Sequence, residues 1–408
     1  MNPPLLFLCH RIPYPPNKGD KIRSYHLLRY LLEHYRVYLG AFIDDEADWD
    51  HVQRLEGWCE ECCFIGLNPR TARIASLRGL LLGQPLTLPY YANDRLRAWV
   101  GKTVRDKDIQ RLLVYSSAMA QFILAPAYEP MRRVIDFVDI DSDKWRQYAG
   151  RKSWPLNWIY RREARHLLRF ERDIASRFDA SLFVSNAEAR LFRQLASRSA
   201  DRIGYYNNGV DTDYFSPDNV SASPYGEGER ALVFTGAMDY WPNEDAVAWF
   251  ARDVFPRILR QYPDARFYIV GIRPTEAVQG LEALPGVRVT GAVPDVRPYL
   301  MHATAAVAPM RVARGVQNKV LEAMAMARPV LVSTPGLEGI NAEAGTEVLV
   351  ADTAEEFIEQ IGKVFEQQTE GLGAAARARV CRDFSWDDNL PRVGELLETG
   401  LTASPDAN

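Results

Sequence analysis

The chain has 408 residues, 47% of them hydrophobic and 25% charged, a length that exceeds one ordinary core and calls for two domains. Its 49 Lys and Arg against 53 Asp and Glu give a net charge of −4, which argues against nucleic acid as a partner. No run of eighteen apolar residues occurs, and the N-terminus MNPPLLFLCHRIPYPPN has too short an apolar stretch for a signal peptide, so a cytoplasmic location is expected. In chain order, apolar strands are predicted at 5–10, 37–43, 63–67, 112–117, 133–139 and 180–185. Helices at about 20–34, 46–58, 70–83, 92–105 and 156–177 lie between them. After the Pro/Ser/Gly-rich stretch SPDNVSASPYGEGE (216–229), a second series of strands runs through 231–237, 266–271, 287–292, 305–310, 329–334 and 347–351. Strict strand–helix alternation predicts an α/β protein with two Rossmann-like, doubly wound parallel sheets, each with its ligand at the carboxyl ends of the strands. The expected division is a first domain over 1–205, a linker over 206–230, a second domain over 231–383, and a C-terminal helix within 384–408.

Three segments carry groups suited to chemistry. In RIPYPPNKGDKIRSYHLL, which follows the first strand, prolines hold the loop extended and Gly19 lets the backbone approach a ligand. Asp20 and Arg23 are candidate substrate contacts there; Asp20 fits an N-cap equally well, with Lys21 and Arg23 then solvated. In VIDFVDIDSDKW, Asp139, Asp141 and Asp143 follow a strand. This run fits a metal-binding D-x-D, a phosphatase nucleophile with its acid/base partner, the edge of a ligand cleft, or simple helix capping. As the strand-ending residue, Asp139 is the leading candidate, with Asp141 next. In RGVQNKVLEAMAMARP (314–329), a glycine, Gly315, opens a helix after the strand AAVAPM. Free N–H groups at a helix mouth attract phosphate, Lys319 adds charge, and Glu322, three residues on, can accept ribose hydroxyls.

These motifs resemble retaining GT-B glycosyltransferases of family four. GVQNKVLEAMAMARPVLVST is similar to that family's donor-site helix, whose usual pattern is E-G-F-x-x-x-x-x-E-A-M-A-x-G-x-P-V-V. NNGVDTDYF (207–215), FTGAMDYWPNEDAVAWF (234–250), DARFYIVGIRP (264–274) and VRVTGAVPDVRPYL (287–300) resemble its interdomain segment, its glycine loop with the helix that follows, and its base-holding strands. With PPNKGDKIRSYHLLRYL and DFVDIDSDKW, the whole is most similar to sugar transferases of bacterial PEP-CTERM/exosortase exopolysaccharide systems. The resemblance implies a GT-B fold with its two domains facing across a cleft, a nucleotide diphosphate sugar as donor, and retention of configuration. No cofactor or metal is implied. It places Gly236, Arg273, Gly315, Val316, Gln317, Asn318 and Glu322 around the donor, Asn208 and Gly209 at a hinge, and Ser185 on a helix cap beside the substrate. Two departures stand out. The family's first acidic position, eight residues before Glu322, falls on Arg314, which with Lys319 would take over the phosphate charge, and the usual histidine is absent near Asp139. A nucleotide-sugar epimerase, an Asp139-dependent phosphatase and a non-catalytic scaffold remain alternatives.

Two further features bear on partners. Residues 144–177 interleave Trp145, Trp154, Trp158 and Tyr160 with Arg151, Lys152, Arg161, Arg162 and Arg165, and 69–83 is basic and amphipathic. Both suit an anionic membrane surface, in keeping with a polyprenyl-diphosphate-linked or other glycan acceptor; the alternative is a long solvated helix whose apolar side packs on the domain, with Trp as core filler. Cys59, Cys62 and Cys63 form a CxxCC cluster with only His51 nearby, which reads as reduced thiols rather than zinc.

Overall fold

The computed structural model describes residues 2–16, 19–150, 153–218, 222–313 and 315–399. Contacts divide the chain into two units, Met1–Asn207 with Leu390–Asn408, and Asn208–Asn389. The first unit holds a seven-stranded sheet of β1 (Pro4–Cys9), β2 (Arg36–Ile43), β3 (Glu61–Gly66), β4 (Arg111–Tyr115), β5 (Arg132–Val138), β6 (Ala180–Phe183) and β7 (Ile203–Tyr205). The order is β3-β2-β1-β4-β5-β6-β7, and every pairing is parallel. Helices cover both faces, so strands such as β1 and β4 are apolar almost without interruption and bury nearly every residue.

The second unit holds β8 (Arg230–Thr235), β9 (Ala265–Val270), β10 (Val287–Gly291), β11 (Ala305–Ala308), β12 (Val330–Val332) and β13 (Leu349–Val350). Its order is β10-β9-β8-β11-β12-β13, again wholly parallel. In each sheet the strand order reverses direction at one point, between β1 and β4 and between β8 and β11. Crevices form at such points because the flanking crossovers leave to opposite faces.

The helices that matter below are α1 (Gly19–His34), α2 (Pro69–Ser76), α3 (Arg78–Leu81), α4 (Thr87–Tyr91), α5 (Asp141–Gly150), α6 (Leu156–Arg177), α7 (Asn186–Leu195), α8 (Asn318–Ala325) and α9 (Pro391–Glu398). The predicted helix over 70–83 is thus two short helices, and the single final helix breaks before Pro391, whose ring cannot continue a helical ladder. Within the first unit, α9 packs on β4 and β5, and Glu398 accepts from Arg111 (2.7 and 2.5 Å) and Tyr35 (3.1 Å). The stretch 206–230, predicted as linker, is tied down in its first part: Val210 N donates to Phe384 O at 2.8 Å, and Arg377 reaches the carbonyls of Thr212 and Phe215. The strand β7 has only three residues and carries no periodic signal of its own.

Candidate functional site

Two groups of residues gather at carboxyl strand ends, one in each unit. In the first unit, a cavity of about 530 Å³ opens where β1, β4 and β5 end, and its lining includes His10, Asp20, Ser116, Asp139, Asp141 and Lys144. Asp139 and Asp141, both singled out from the sequence, do face it. They share one cation: Lys144 Nζ lies 2.7 Å from Asp139 Oδ2 and 3.6 Å from Asp141 Oδ1. Burial alone would lower the pKa of Lys144, but the charges of Asp141 and Asp139 raise it above its usual range. Asp143, the third acid of the run, turns away to Arg146 and Gln147.

Val138 and Ser116 both hold positive φ, 70° and 80°, where the chain leaves β5 and β4. For residues other than glycine such backbone costs roughly 1–3 kcal/mol and is characteristic of binding sites. Asp20 sits in the first turn of α1, paired with Arg11 at 2.5 Å and 3.5 Å from His10 Nε2. Burial would raise its pKa, but the hydrogen bond from His10 and the charge of Arg11 hold it far below the ordinary carboxylate range. His10 stacks on Tyr115 at 5.8 Å, and its Nδ1 is buried with no hydrogen-bond partner among the described residues. This histidine was missed in the sequence. Its one legible signal is its place directly after an apolar first strand.

Behind the cavity, Glu171 of α6 is fully buried and accepts from Ser142 N (3.1 Å) and Oγ (2.5 Å). Burial, reinforced by Asp141, pushes its pKa up to about 8 despite those hydrogen bonds.

Several expected contacts are corrected by packing. Arg23 is 1% exposed and belongs to the core: its Nε donates to Asp136 Oδ2 at 2.8 Å, its plane lies 3.5 Å from the Tyr206 ring, and it reaches the carbonyls of Tyr206 and Phe183. Lys21 is equally buried, on Asp48 at 2.6 and 2.7 Å, so neither cation is solvated. The helix cap expected of Ser185 is present: it is the N-cap of α7 and accepts from Glu188 N at 3.2 Å. Gly209 is buried against the indole of Trp386, 2.6 Å from where a Cβ would sit, so packing requires a glycine here. Asn208 begins the second unit. Gly19 opens α1 with nothing within 4 Å of a Cβ position. Trp145 lines the cavity and packs on Tyr160 at 4.9 Å instead of facing outward.

In the second unit, the loop after β8 and the mouth of α8 meet. Gly236, at φ 155°, would place a Cβ 2.8 Å from Asn243 Nδ2 and 3.4 Å from Lys319 Cε. A Cβ at Gly271 would fall 1.6 Å from the Gly236 carbonyl oxygen, so both glycines are steric requirements of this junction. Gly315, at φ 67°, turns the chain into Val316 and Gln317; among the described residues, no side chain caps α8. Among the described residues, Lys319 Nζ meets Gln317 Oε1 at 3.3 Å and the face of Phe234 at 5.4 Å. Glu322 makes no hydrogen bond or ion pair among the described residues.

Both side chains keep some exposed surface yet are ringed by protein atoms. Burial lowers Lys319 to about 8 against the opposing pull of Glu322, and burial raises Glu322 to about 7 against that of Lys319. Asn318 Oδ1 and Asn243 Oδ1 are buried acceptors with no donor among the described residues. Arg273, at φ 52°, is held by Asp239 of the glycine loop, Nε to Oδ2 at 2.7 Å. Arg314 lies outside the described residues.

Among the described residues, no group of three or more His, Cys, Asp or Glu side chains is arranged to hold a metal ion, and all five cysteines are free thiols. Nor is any described helix long and apolar enough to cross a membrane.

Residues 229–367 match the family model "Glycosyl transferases group 1". No curated protein sequence matches the chain. Solved structures share its fold over nearly its whole length. HepE of Anabaena, solved in complex with UDP, has 17% identity and a TM-score of 0.68, covering 97% of this chain and 100% of its own. A glycosyltransferase of Rickettsia africae has 14% identity and a TM-score of 0.65, covering 98% of each chain. Sucrose-phosphate synthase of Thermosynechococcus elongatus has 16% identity and a TM-score of 0.66, covering 97% of this chain and 98% of its own. The fold class is therefore GT-B, built of two Rossmann-like parallel-sheet domains.

Proposed function

We propose that this chain is a retaining glycosyltransferase that moves a sugar from a nucleotide diphosphate sugar to a lipid-linked glycan acceptor in exopolysaccharide synthesis. The observation that carries the reading is the mouth of α8, where a half-buried lysine, with no carboxylate in contact among the described residues, stands beside uncapped helix N–H groups. An anion completes such a site, since both the cation and the helix end favour negative charge. A departing nucleoside diphosphate supplies that anion, and charge that grows on it during bond cleavage is stabilised by groups already in place. Glu322 accepts the donor's ribose hydroxyls, and Asn318 and Asn243 offer buried acceptors to further hydroxyl or N–H donors. The match of 229–367 to a glycosyltransferase family and the UDP bound to HepE support a nucleotide donor. Retention, the exopolysaccharide setting and a lipid-linked acceptor rest on the sequence resemblance. We assign the acceptor to the cavity of the first unit, where Asp139, held by Lys144, and Asp20 can accept from sugar hydroxyls while Trp145 and Tyr91 offer ring faces.

Fixed positive charge at α8 makes added metal unnecessary in this reading. The test is a screen of nucleotide sugars by calorimetry. Turnover on a lipid-linked glycan is then followed in EDTA, with NMR of the product's anomeric centre. Tight donor binding and EDTA-resistant turnover with retained configuration are expected. Strict Mg²⁺ dependence, phosphate release from simple monoesters and loss of that release in Asp139→Asn would establish the phosphatase instead.

A further inference from the structure

The first unit carries an outward face that its packing does not explain. On α2, α3 and the residues flanking α3, Ile74, Leu77, Leu81 and Leu82 are 71%, 52%, 90% and 66% exposed, and near the start of α6, Trp154 and Trp158 are 83% and 58% exposed. The two segments are joined. Arg162 donates to Gly79 O at 2.8 Å and Gln84 O at 3.1 Å, and Glu163 accepts from Leu86 N at 2.6 Å and Thr87 Oγ1 at 2.8 Å. Trp158 lies one helical turn before Arg162, on the side that meets the turn carrying Leu81 and Leu82. Large side chains this exposed cluster only where something covers them.

Charge identifies the cover. Residues 69–83 and 153–162 contain no Asp or Glu. Arg70, Arg78, Arg161, Arg165 and Arg169 make no side-chain hydrogen bond or ion pair among the described residues. The last three form a stripe at four-residue spacing along α6. Burial together with Arg162 and Arg169 holds His166 below its usual pKa, as expected within uncompensated positive charge. A second copy of the chain seated on this face would bring like charges together, which is destabilising. An anionic bilayer instead accepts apolar side chains below its headgroups and arginines at its phosphates.

We propose that the face formed by α2, α3 and the start of α6 docks on an anionic lipid bilayer. Arg73 and Ser76 of the same α2 line the cavity, so docking sets the cavity mouth at headgroup level. A lipid-linked glycan then reaches the cavity without its lipid leaving the bilayer, a consequence that rests on the transferase reading. Arg162 is excluded from the lipid contacts because both its amino groups are engaged by backbone carbonyls.

The test is cosedimentation of the full chain with vesicles of phosphatidylcholine alone or mixed with phosphatidylglycerol, with calorimetric nucleotide-sugar binding measured in parallel. Wild type should pellet only with the anionic vesicles and be released by raised salt. Leu81→Glu with Leu82→Glu should stay in the supernatant. Joint replacement of Arg161, Arg165 and Arg169 by Gln should weaken partitioning roughly a hundredfold. All these residues are at the surface, so thermal unfolding and donor binding should match wild type. A wild type that stays in the supernatant at low salt overturns the proposal. So does self-association in sedimentation velocity that the leucine variant abolishes. Vesicle binding without nucleotide-sugar binding would leave docking standing and sink the transferase reading.

Discussion

Donor affinity should depend on pH in a way that reports Lys319 and Glu322 directly. In the free protein Lys319 titrates near 8 and Glu322 near 7, each displaced chiefly by burial. In the proposed donor site, binding needs the lysine charged to meet the diphosphate and the glutamate ionised to accept ribose hydroxyls. Affinity therefore rises with pH through about 7, as Glu322 loses its proton, and falls through about 8, as Lys319 loses its own. At pH 6 only about a tenth of Glu322 is ionised, and at pH 9 about a tenth of Lys319 is charged, so each limb should drop roughly tenfold. The diphosphate of a nucleotide sugar is a diester with no proton to gain or lose in this window, so it is the source of neither limb. Lys319→Met should erase the alkaline limb and lower turnover roughly a hundredfold, the usual cost of losing a charged contact to a leaving group. Glu322→Gln should erase the acid limb and weaken binding with a smaller effect on turnover. Isothermal calorimetry from pH 6 to 9, in buffers of matched ionic strength, measures all three proteins. A flat wild-type profile, or variants that keep both limbs, would refute this account of the site.

Two stability predictions follow from buried charge. Arg23→Met leaves Asp136, itself 0% exposed, without its cation and should cost about 3–5 kcal/mol in urea denaturation, with donor affinity unchanged. A loss below about 1 kcal/mol would mean that Tyr206 and the Val138 N–H suffice to hold that carboxylate. Glu171 has its pKa raised on folding, so its contribution is fully present below the unfolded carboxyl value and is lost as pH rises through about 8. The melting temperature of Glu171→Gln should therefore gain on wild type between pH 5 and 8.5, and a constant difference would show that Glu171 is already ionised at pH 5.

Local pattern was enough for much of this protein. Continuous apolar runs alternating with amphipathic helices imply buried parallel strands, because only sheets covered on both faces bury every residue. The three-residue spacing of Lys319 and Glu322 puts them on one helix face wherever that helix packs, and a glycine ahead of it marks the turn that frees the N–H groups. Asp139 and Asp141 were legible for the same reason, since a strand's end in a parallel sheet is where crevices form.

Pairings between distant residues were not legible. Arg23 and Asp136 are 113 positions apart, and the sequence around Arg23 reads as a solvated helix start; only the closeness of α1 to β5 makes it a core ion pair. The indole of Trp386, which leaves Gly209 no room for a Cβ, could not be read from the glycine's neighbours in sequence. His10 reads as the tail of a strand until Asp20, Tyr115 and a cavity surround it. Exposure divides the tryptophans likewise: Trp145 turns inward while Trp154 and Trp158 stay outside, though all three share one basic segment. The physical reason is common to these cases. Periodicity records which face of an element is apolar, but a polar side chain acquires its role from the groups that folding brings against it, and those come from elsewhere in the chain.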